Sequence, residues 1–324
     1  MTPFQSRRAW GEAAEPGLRA GVAPPERGWG RRWAARRWLK RRGLITLSLN
    51  GPGPDYLSPV SFTDPEITDI DIFLRRLPPA HEGLRVVHLT DIHHGLYTPL
   101  EEVQRAVQLT NSLCPDVVAI TGDYVTLSPA YIGPVARTLG KLRARLGVFA
   151  VLGNHDFHVD PEEVTRALEA QRIRVLRNSH YALRAGAASL WIIGVDDIWW
   201  GAANLPAAML HVPARDAKIL LCHNPRGIRR AAARGIDLVL SGHTHGGQVR
   251  LPVVGSIYGR SKFGRRFIEG WNRLDGTQIY INRGIGKVLV PVRVGCPAEI
   301  ACLRLRRAAY GGLSSPGSPP PATR

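Results

Sequence analysis

Residues 85–95, Arg85-Val86-Val87-His88-Leu89-Thr90-Asp91-Ile92-His93-His94-Gly95, decide how the chain is to be read. A short, β-branched and mostly apolar run stops abruptly at a carboxylate and two imidazoles. Such a run fits a buried strand, and the polar residues that follow it fall where a strand opens into a loop. The same arrangement recurs four times downstream. Val117–Thr121 stops at Gly122-Asp123-Tyr124, and Val148–Leu152 stops at Gly153-Asn154-His155-Asp156. Ile219–Cys222 stops at His223-Asn224-Pro225, and Leu238–Ser241 at Gly242-His243-Thr244-His245-Gly246-Gly247.

Helical periodicity fills the gaps. Leu100, Val103, Val107, Thr110 and Leu113 recur at three- and four-residue steps after Pro99, with Glu101 and Glu102 in the first turn, and a second helical stretch surrounds Val135–Arg143. Strands alternating with helices predict an α/β fold with a largely parallel sheet. In such sheets ligands gather at the carboxyl ends of the strands, where all five polar motifs sit. Asp91/His93 and His243/His245, each two residues apart, are expected to aim both side chains the same way if the strand pleat persists. The neighbouring glycines are expected to supply the tight turns.

The seven donors Asp91, His93, Asp123, Asn154, His223, His243 and His245 offer imidazole, carboxylate and amide oxygen, with no thiolate. That mixture suits first-row ions, Mn first and Fe or Zn as alternatives, more than calcium. Seven are too many for one tetrahedral site and enough for two divalent ions sharing a carboxylate. One Asp-x-His at a strand end has an ordinary structural explanation; five motifs in this order do not. His81, His88, His94, His158, His180 and His211 lack such company and are read as packed or solvated. Gly194–Trp200, after the apolar run Leu190–Ile193, is read as core packing, with two tryptophans on a pocket rim as the alternative. A basic cluster, Arg260, Lys262, Arg265 and Arg266, lies beyond the last motif; a phosphate contact and a solvated loop are equally open there.

Motifs of this type and order, Asp-x-His, Gly-Asp, Gly-Asn-His-Asp, His and Gly-His-x-His, resemble those of the calcineurin-like metallophosphoesterases across residues 84–306. His223-Asn224-Pro225, His243–Gln248 and Asn282-Arg283-Gly284 are similar to segments of a bacterial phosphodiesterase branch whose members often carry an export signal or membrane anchor. That branch in turn is similar to the UDP-diacylglucosamine pyrophosphatases of lipid A biosynthesis. The resemblance implies a four-layer α/β/β/α sandwich. It also implies a first ion on Asp91, His93 and His245, a second on Asn154, His223 and His243, and Asp123 between them. His155 would face the substrate as a general acid, with Asp156 as its orienting partner. The implied reaction is hydrolysis of a phosphodiester or pyrophosphate bond by metal-activated water, on a lipid-linked or nucleotide-linked substrate. A nuclease of the same fold and a catalytically silent scaffold are the alternatives; no substrate-binding residue is assigned.

Outside the motifs the chain changes character. Its net charge is +17, and residues 1–42 carry eleven Lys/Arg against Glu12, Glu15 and Glu26, a net +8 from a small fraction of the length. Residues 1–60 are read as a basic flank, 61–310 as the folded domain, and the Gly/Ser/Pro-rich stretch 311–324 as a tail. The Arg31–Arg42 segment, seven basic residues without an acid, is expected to hold the protein peripherally on an anionic membrane surface, with the cytoplasmic face favoured. Nucleic acid is disfavoured as a partner, because so much of the charge lies in a tail away from the motifs. Arg36-Arg37-Trp38-Leu39-Lys40 resembles a shortened twin-arginine signal, which leaves export as the alternative. No run reaches the ~18 apolar residues of a membrane span. Cys114, Cys222, Cys296 and Cys302 have no CxxC spacing and are read as buried small hydrophobes.

Overall fold

The computed structural model describes residues 64–186, 188–251, 255–256 and 267–308. The basic flank with its Arg31–Arg42 segment, the tail, and the Arg260–Arg266 cluster lie outside the described residues. In chain order the strands are β1 (Glu66–Leu74), β2 (Arg85–Leu89), β3 (Val117–Ile120), β4 (Gly147–Ala150), β5 (Arg174–Val175), β6 (Ser179–Ala185) and β7 (Ala188–Gly194). They continue with β8 (Ala217–Leu221), β9 (Leu238–Ser241), β10 (Arg250–Leu251), β11 (Gly255–Ser256), β12 (Gly270–Leu274), β13 (Thr277–Ile281) and β14 (Glu299–Arg307). The α-helices are α1 (Leu100–Ser112), α2 (Ile132–Leu139), α3 (Asn154–Val159), α4 (Pro161–Glu169), α5 (Leu205–Ala208) and α6 (Ile228–Ala232).

Two six-stranded sheets form, ordered β1-β14-β2-β3-β4-β5 and β12-β13-β9-β8-β7-β6, while β10 and β11 make a separate ribbon. Strands β2 to β5 run parallel, as do β7, β8, β9 and β13. The expected largely parallel pairing holds across the motif-bearing strands of both sheets, and each sheet adds antiparallel members. In the second, β6 and β12 lie antiparallel at the edges, and in the first β14 returns antiparallel beside β2. The reason is local for β12–β13: they are joined by Asp275-Gly276 with φ of 45° and 88°, the left-handed pair that closes a tight hairpin.

Side-chain alternation along the strands sorts the apolar residues into three cores. Val87, Leu89, Val118 and Ile120 face Val103, Val107, Val135, Leu139, Val164 and Leu168 of α1, α2 and α4. Val86, Val117, Ala119 and Phe149 face the other way, against Ile192, Ile219, Leu221, Leu238 and Leu240 of the second sheet. Ile193, Leu220, Val239 and Ile279 then cover Leu205, Ala208, Ile228 and Ala231 of α5 and α6. The order of layers is α/β/β/α. Strands buried on both faces must be apolar at every position, which is why they read as continuous runs instead of alternating ones. Even Lys218 in β8 is 1% exposed, its ammonium donating to the carbonyls of Ala214 (2.8 Å) and Asp216 (2.6 Å).

Three of the four cysteines are buried, as read, but Cys114 is exposed at the end of α1; all four are free thiols. Among the described residues no helix is long and apolar enough to cross a membrane.

Candidate metal centre

The carboxyl ends of β2, β3, β4, β8 and β9 converge, and the seven candidate donors meet above them. Asp91, His93, Asp123, His223 and His245 are buried, whereas Asn154, His155 and His243 are half-buried on the open side. The pleat does not deliver them. Asp91, His93, Asp123, His243 and His245 have φ of 49°, 47°, 58°, 70° and 52°, so the backbone has already left strand geometry. The expectation of an extended strand aiming paired side chains is therefore corrected: left-handed turns do it, and the donors themselves adopt the strained conformation. Asp and His tolerate that region better than most, but each such residue still costs on the order of 1–3 kcal/mol and must be held by its surroundings.

Gly122, Gly246 and Gly247 supply the expected turns, with φ of 91°, 56° and 86°, whereas Gly153 and Gly242 have a different task. A Cβ at Gly242 would run into Asp91 Oδ2 and Thr90 Oγ1, and one at Gly153 into Asp123 Oδ1. They leave room for carboxylates beside the backbone.

Within the cluster, His93 Nε2 lies 3.1 Å from His245 Nε2 and 3.4 Å from Asp123 Oδ2, and His245 Nε2 lies 3.3 Å from Asp91 Oδ1. On the other side, His223 Nε2 is 3.3 Å from Asp123 Oδ2 and 3.2 Å from Asn154 Oδ1, and His243 Nδ1 is 2.8 Å from Asn154 Oδ1. Three overlapping groups have donor atoms within 4.8 Å of one another: Asp91, His93 and His245; Asp91, Asp123 and His223; and His93, Asp123 and His155. Two of the rings have their second nitrogen bonded. His223 Nδ1 donates to the Thr121 carbonyl (2.6 Å), and His93 Nδ1 sits 3.0 Å from Thr126 Oγ1. For His223 this anchors the ring with its Nε2 edge turned toward the other donors, the orientation a metal-binding imidazole needs. Imidazole and carboxylate donors crowded at these distances around Asp123 fit two cations sharing that carboxylate.

Electrostatics agree. Burial works against a charge on every member, but Asp123 and Asp91 outweigh it for His93, raising its pKa to about 9, and Asp123 raises His223 to about 10. Conversely, despite burial, His223 and His93 hold Asp123 well below the carboxylate range, and His245 with His93 does the same for Asp91. Burial, reinforced by the His223 cation, drives His243 down to about 3, and burial takes His245 to about 4. Two imidazolium ions thus stand in for the positive charge that two carboxylates demand.

Asp156 departs from its expected role. Its carboxylate is fully buried and accepts the backbone N–H groups of Asp123 (2.8 Å), Gly153 (2.8 Å) and Tyr124 (2.9 Å). It ties two donor loops together and is not the partner of the His155 ring, whose Nδ1 donates to the Thr126 carbonyl at 3.3 Å. His155 also gives its backbone N–H to Asp123 Oδ1 (2.8 Å), and burial lowers its pKa.

Some contributors were not assigned from sequence. Asn282, just past β13, donates to the His88 carbonyl (2.8 Å) and accepts from Gly284 N–H (2.8 Å); its place after an apolar strand was a usable signal. Arg293 gathers the carbonyls of Arg283 (2.8 Å), Gly284 (3.1 Å) and Gly286 (2.7 Å), and nothing in a sequence marks an arginine whose partners are backbone oxygens. The core-packing reading of Gly194–Trp200 is overturned for its end: Trp199 and Trp200 are exposed, and the Trp199 ring meets His243 edge-on at 4.9 Å.

A four-layer sandwich thus carries a buried His/Asp cluster at its strand ends, with the donor types and spacing of a metal-binding site. The chain belongs to the calcineurin-like phosphoesterase family, whose model matches residues 84–247. It is 31% identical over 245 residues to the uncharacterized metallophosphoesterase YkuE of Bacillus subtilis, covering 74% of this chain and 85% of that one. It is 30% identical over 225 residues to the phosphodiesterase YaeI of Escherichia coli, covering 68% and 82%. A transmembrane protein with metallophosphoesterase domain from Danio rerio is 32% identical over 264 residues, 75% of this chain, but the match spans 58% of the fish protein.

Proposed function

We propose that the protein hydrolyses a phosphodiester or pyrophosphate bond with two divalent ions, Mn being the first choice. The observation that carries this reading is the cluster of three overlapping donor groups, each within 4.8 Å and two of them containing Asp123, with Asn154 and His243 packed against His223 on the open side. Asp91, His93 and His245 would hold one ion, Asn154, His223 and His243 the other, and Asp123 both. When bound, such a pair neutralises phosphoryl oxygens and lowers the pKa of a coordinated water.

The chain's own residues then have defined tasks. Thr121 and Thr126 orient the imidazoles, Asp156 fixes the spacing of the Asp123 and Asn154 loops, and His155 lies beside the donors without being required by the count. Its depressed pKa leaves it neutral at rest, so it takes up a proton as an anionic substrate arrives and delivers it to the leaving oxygen. The similarity to YaeI, which is named a phosphodiesterase, supports the phosphodiester arm. The resemblance to lipid A pyrophosphatases makes a UDP-linked lipid pyrophosphate the first pyrophosphate to try.

Hydrolysis of bis-p-nitrophenyl phosphate, a UDP-linked lipid pyrophosphate and single-stranded DNA, each with Mn added, tests the proposal. Turnover of either of the first two is expected. Cleavage of DNA alone would make the protein a nuclease, and inertness toward all three with two ions bound would make it a scaffold.

A further inference from the structure

Among the described residues eight large hydrophobic side chains are exposed, and five of them stand on loops that leave the carboxyl ends of strands beside the metal centre. They are Leu96 (67% exposed), Leu127 (58%), Trp199 (49%), Trp200 (58%) and Leu289 (68%). Contacts tie each loop to the site or to its neighbour. Leu127 follows Thr126, which meets His93 and His155; Trp199 meets His243; and the loop of Leu289 joins that of Leu96 where Lys287 N–H donates to Thr98 Oγ1 (3.0 Å). Clustered exposed apolar residues around an opening mark a surface that something covers.

The backbone beneath these tips is unusually self-sufficient. Leu289 lies in the apolar stretch Val288-Leu289-Val290-Pro291-Val292, and the Gln248 amide reaches up into it. Its Nε2 lies 2.9, 3.0 and 3.1 Å from the carbonyls of Val288, Val290 and Val292, and its Oε1 accepts Val288 N–H at 2.9 Å. Likewise Asp197 Oδ1 accepts the N–H groups of Trp199 and Trp200, both at 2.9 Å. Polar backbone that is bonded from below can leave water without a penalty. Leu289 itself has φ of 64°, so a strained conformation holds an aliphatic side chain outward.

Charge selects the occupant. The loops 90–99, 121–131, 195–204 and 282–298 contain four carboxylates, Asp91, Asp123, Asp196 and Asp197, and all are buried. Outside, Arg226 is exposed with its guanidinium 5.5 Å from the centre of the Trp199 ring, and Arg229 is exposed one turn on. Apolar tips with tryptophan, flanked by exposed arginine and carrying no exposed acid on these four loops, the nearest being Glu101 at the start of α1 and Glu162 of α4, suit the headgroup layer of an anionic bilayer.

We infer that this rim seats the mouth of the metal centre on an anionic phospholipid membrane, so that, if the hydrolase reading holds, substrate enters from the lipid side. The contact differs from any made by the Arg31–Arg42 segment in surviving salt, since apolar insertion is not screened.

Leu96→Ser with Leu289→Asn tests it in the full-length protein. Asn accepts the left-handed conformation better than Leu, so the second change does not threaten the fold. Partition is measured onto phosphatidylcholine vesicles with and without phosphatidylglycerol, at 0.1 and 0.5 M NaCl, with circular dichroism and metal content as controls. At 0.5 M NaCl the wild type is expected to stay bound to the anionic vesicles, and the variant to bind roughly 100-fold more weakly, about tenfold per leucine. Equal partition of wild type and variant at 0.5 M NaCl overturns the inference. So does a wild-type dimer in light scattering that the variant dissolves, which would assign the rim to a second copy. Vesicle binding requires no turnover, so an inactive protein that still binds through the rim would discredit the hydrolase reading alone.

Discussion

His155 separates metal binding from proton delivery at the scale of one side chain. Its Nδ1 is committed to the Thr126 carbonyl, its backbone N–H to Asp123, and its ring stands T-shaped on His93 at 4.8 Å. His155→Ala should keep both ions and lose ~10²–10⁴-fold in rate on an alkyl phosphodiester, but far less on a p-nitrophenyl ester, whose phenolate leaves unaided. Metal analysis together with kcat on the two esters decides the matter. Equal losses would make His155 a charge-stabilising group, and loss of metal would make it a ligand, a role its membership of the His93–Asp123–His155 group also allows. Asp156, the next residue, teaches the opposite lesson: its neighbour in sequence is not its partner in space, because a buried carboxylate takes the nearest free N–H groups.

At the scale of elements, β7 and β8 show how one apolar run serves two layers. Ile219 of β8 faces the inter-sheet core, and Ile193 of β7 faces the helices behind the second sheet. Ile219→Val and Ile193→Val should each destabilise by about 0.5–1.5 kcal/mol. Because the two sit in different cores, their costs should add within about 0.5 kcal/mol in the double variant, measured by urea unfolding. A coupling above 1 kcal/mol would mean that the sheet transmits packing changes between layers. The existence and order of these strands were legible, since apolar runs ending in ligands announce them. The antiparallel edges were not, because pairing direction depends on connections such as Asp275-Gly276.

At the scale of the molecule, the charge balance among the donors makes metal uptake a proton-coupled event. At pH 7 the metal-free protein carries protons on His93 (pKa about 9) and His223 (about 10), while His243 (about 3) and His245 (about 4) are neutral. Binding two ions should therefore release about two protons at pH 7, falling toward zero as pH passes 10. Calorimetry in buffers of different ionisation enthalpy reads this number, and no release would show that His93 and His223 are already deprotonated. The sign follows for stability as well. Raised pKa values contribute stability that is complete below about 6.5 and lost through 9 and 10, so the advantage in Tm of metal-loaded over metal-free protein should widen across that range.

Sequence alone determined the donor types, their order and their position at strand ends, because a buried strand must be apolar and so exposes any polar residue that interrupts it. It also determined that the layers are α/β/β/α, through a resemblance carried by those same motifs. Tertiary structure decided what each polar residue touches. Left-handed turns at Asp91, His93, Asp123, His243 and His245 converge the donors, Asp156 ties loops together, and Gln248 and Asp197 support the apolar tips from below. None of this is written in spacing, since φ at a non-glycine residue and the choice of hydrogen-bond partner are imposed by neighbours that folding brings from distant parts of the chain.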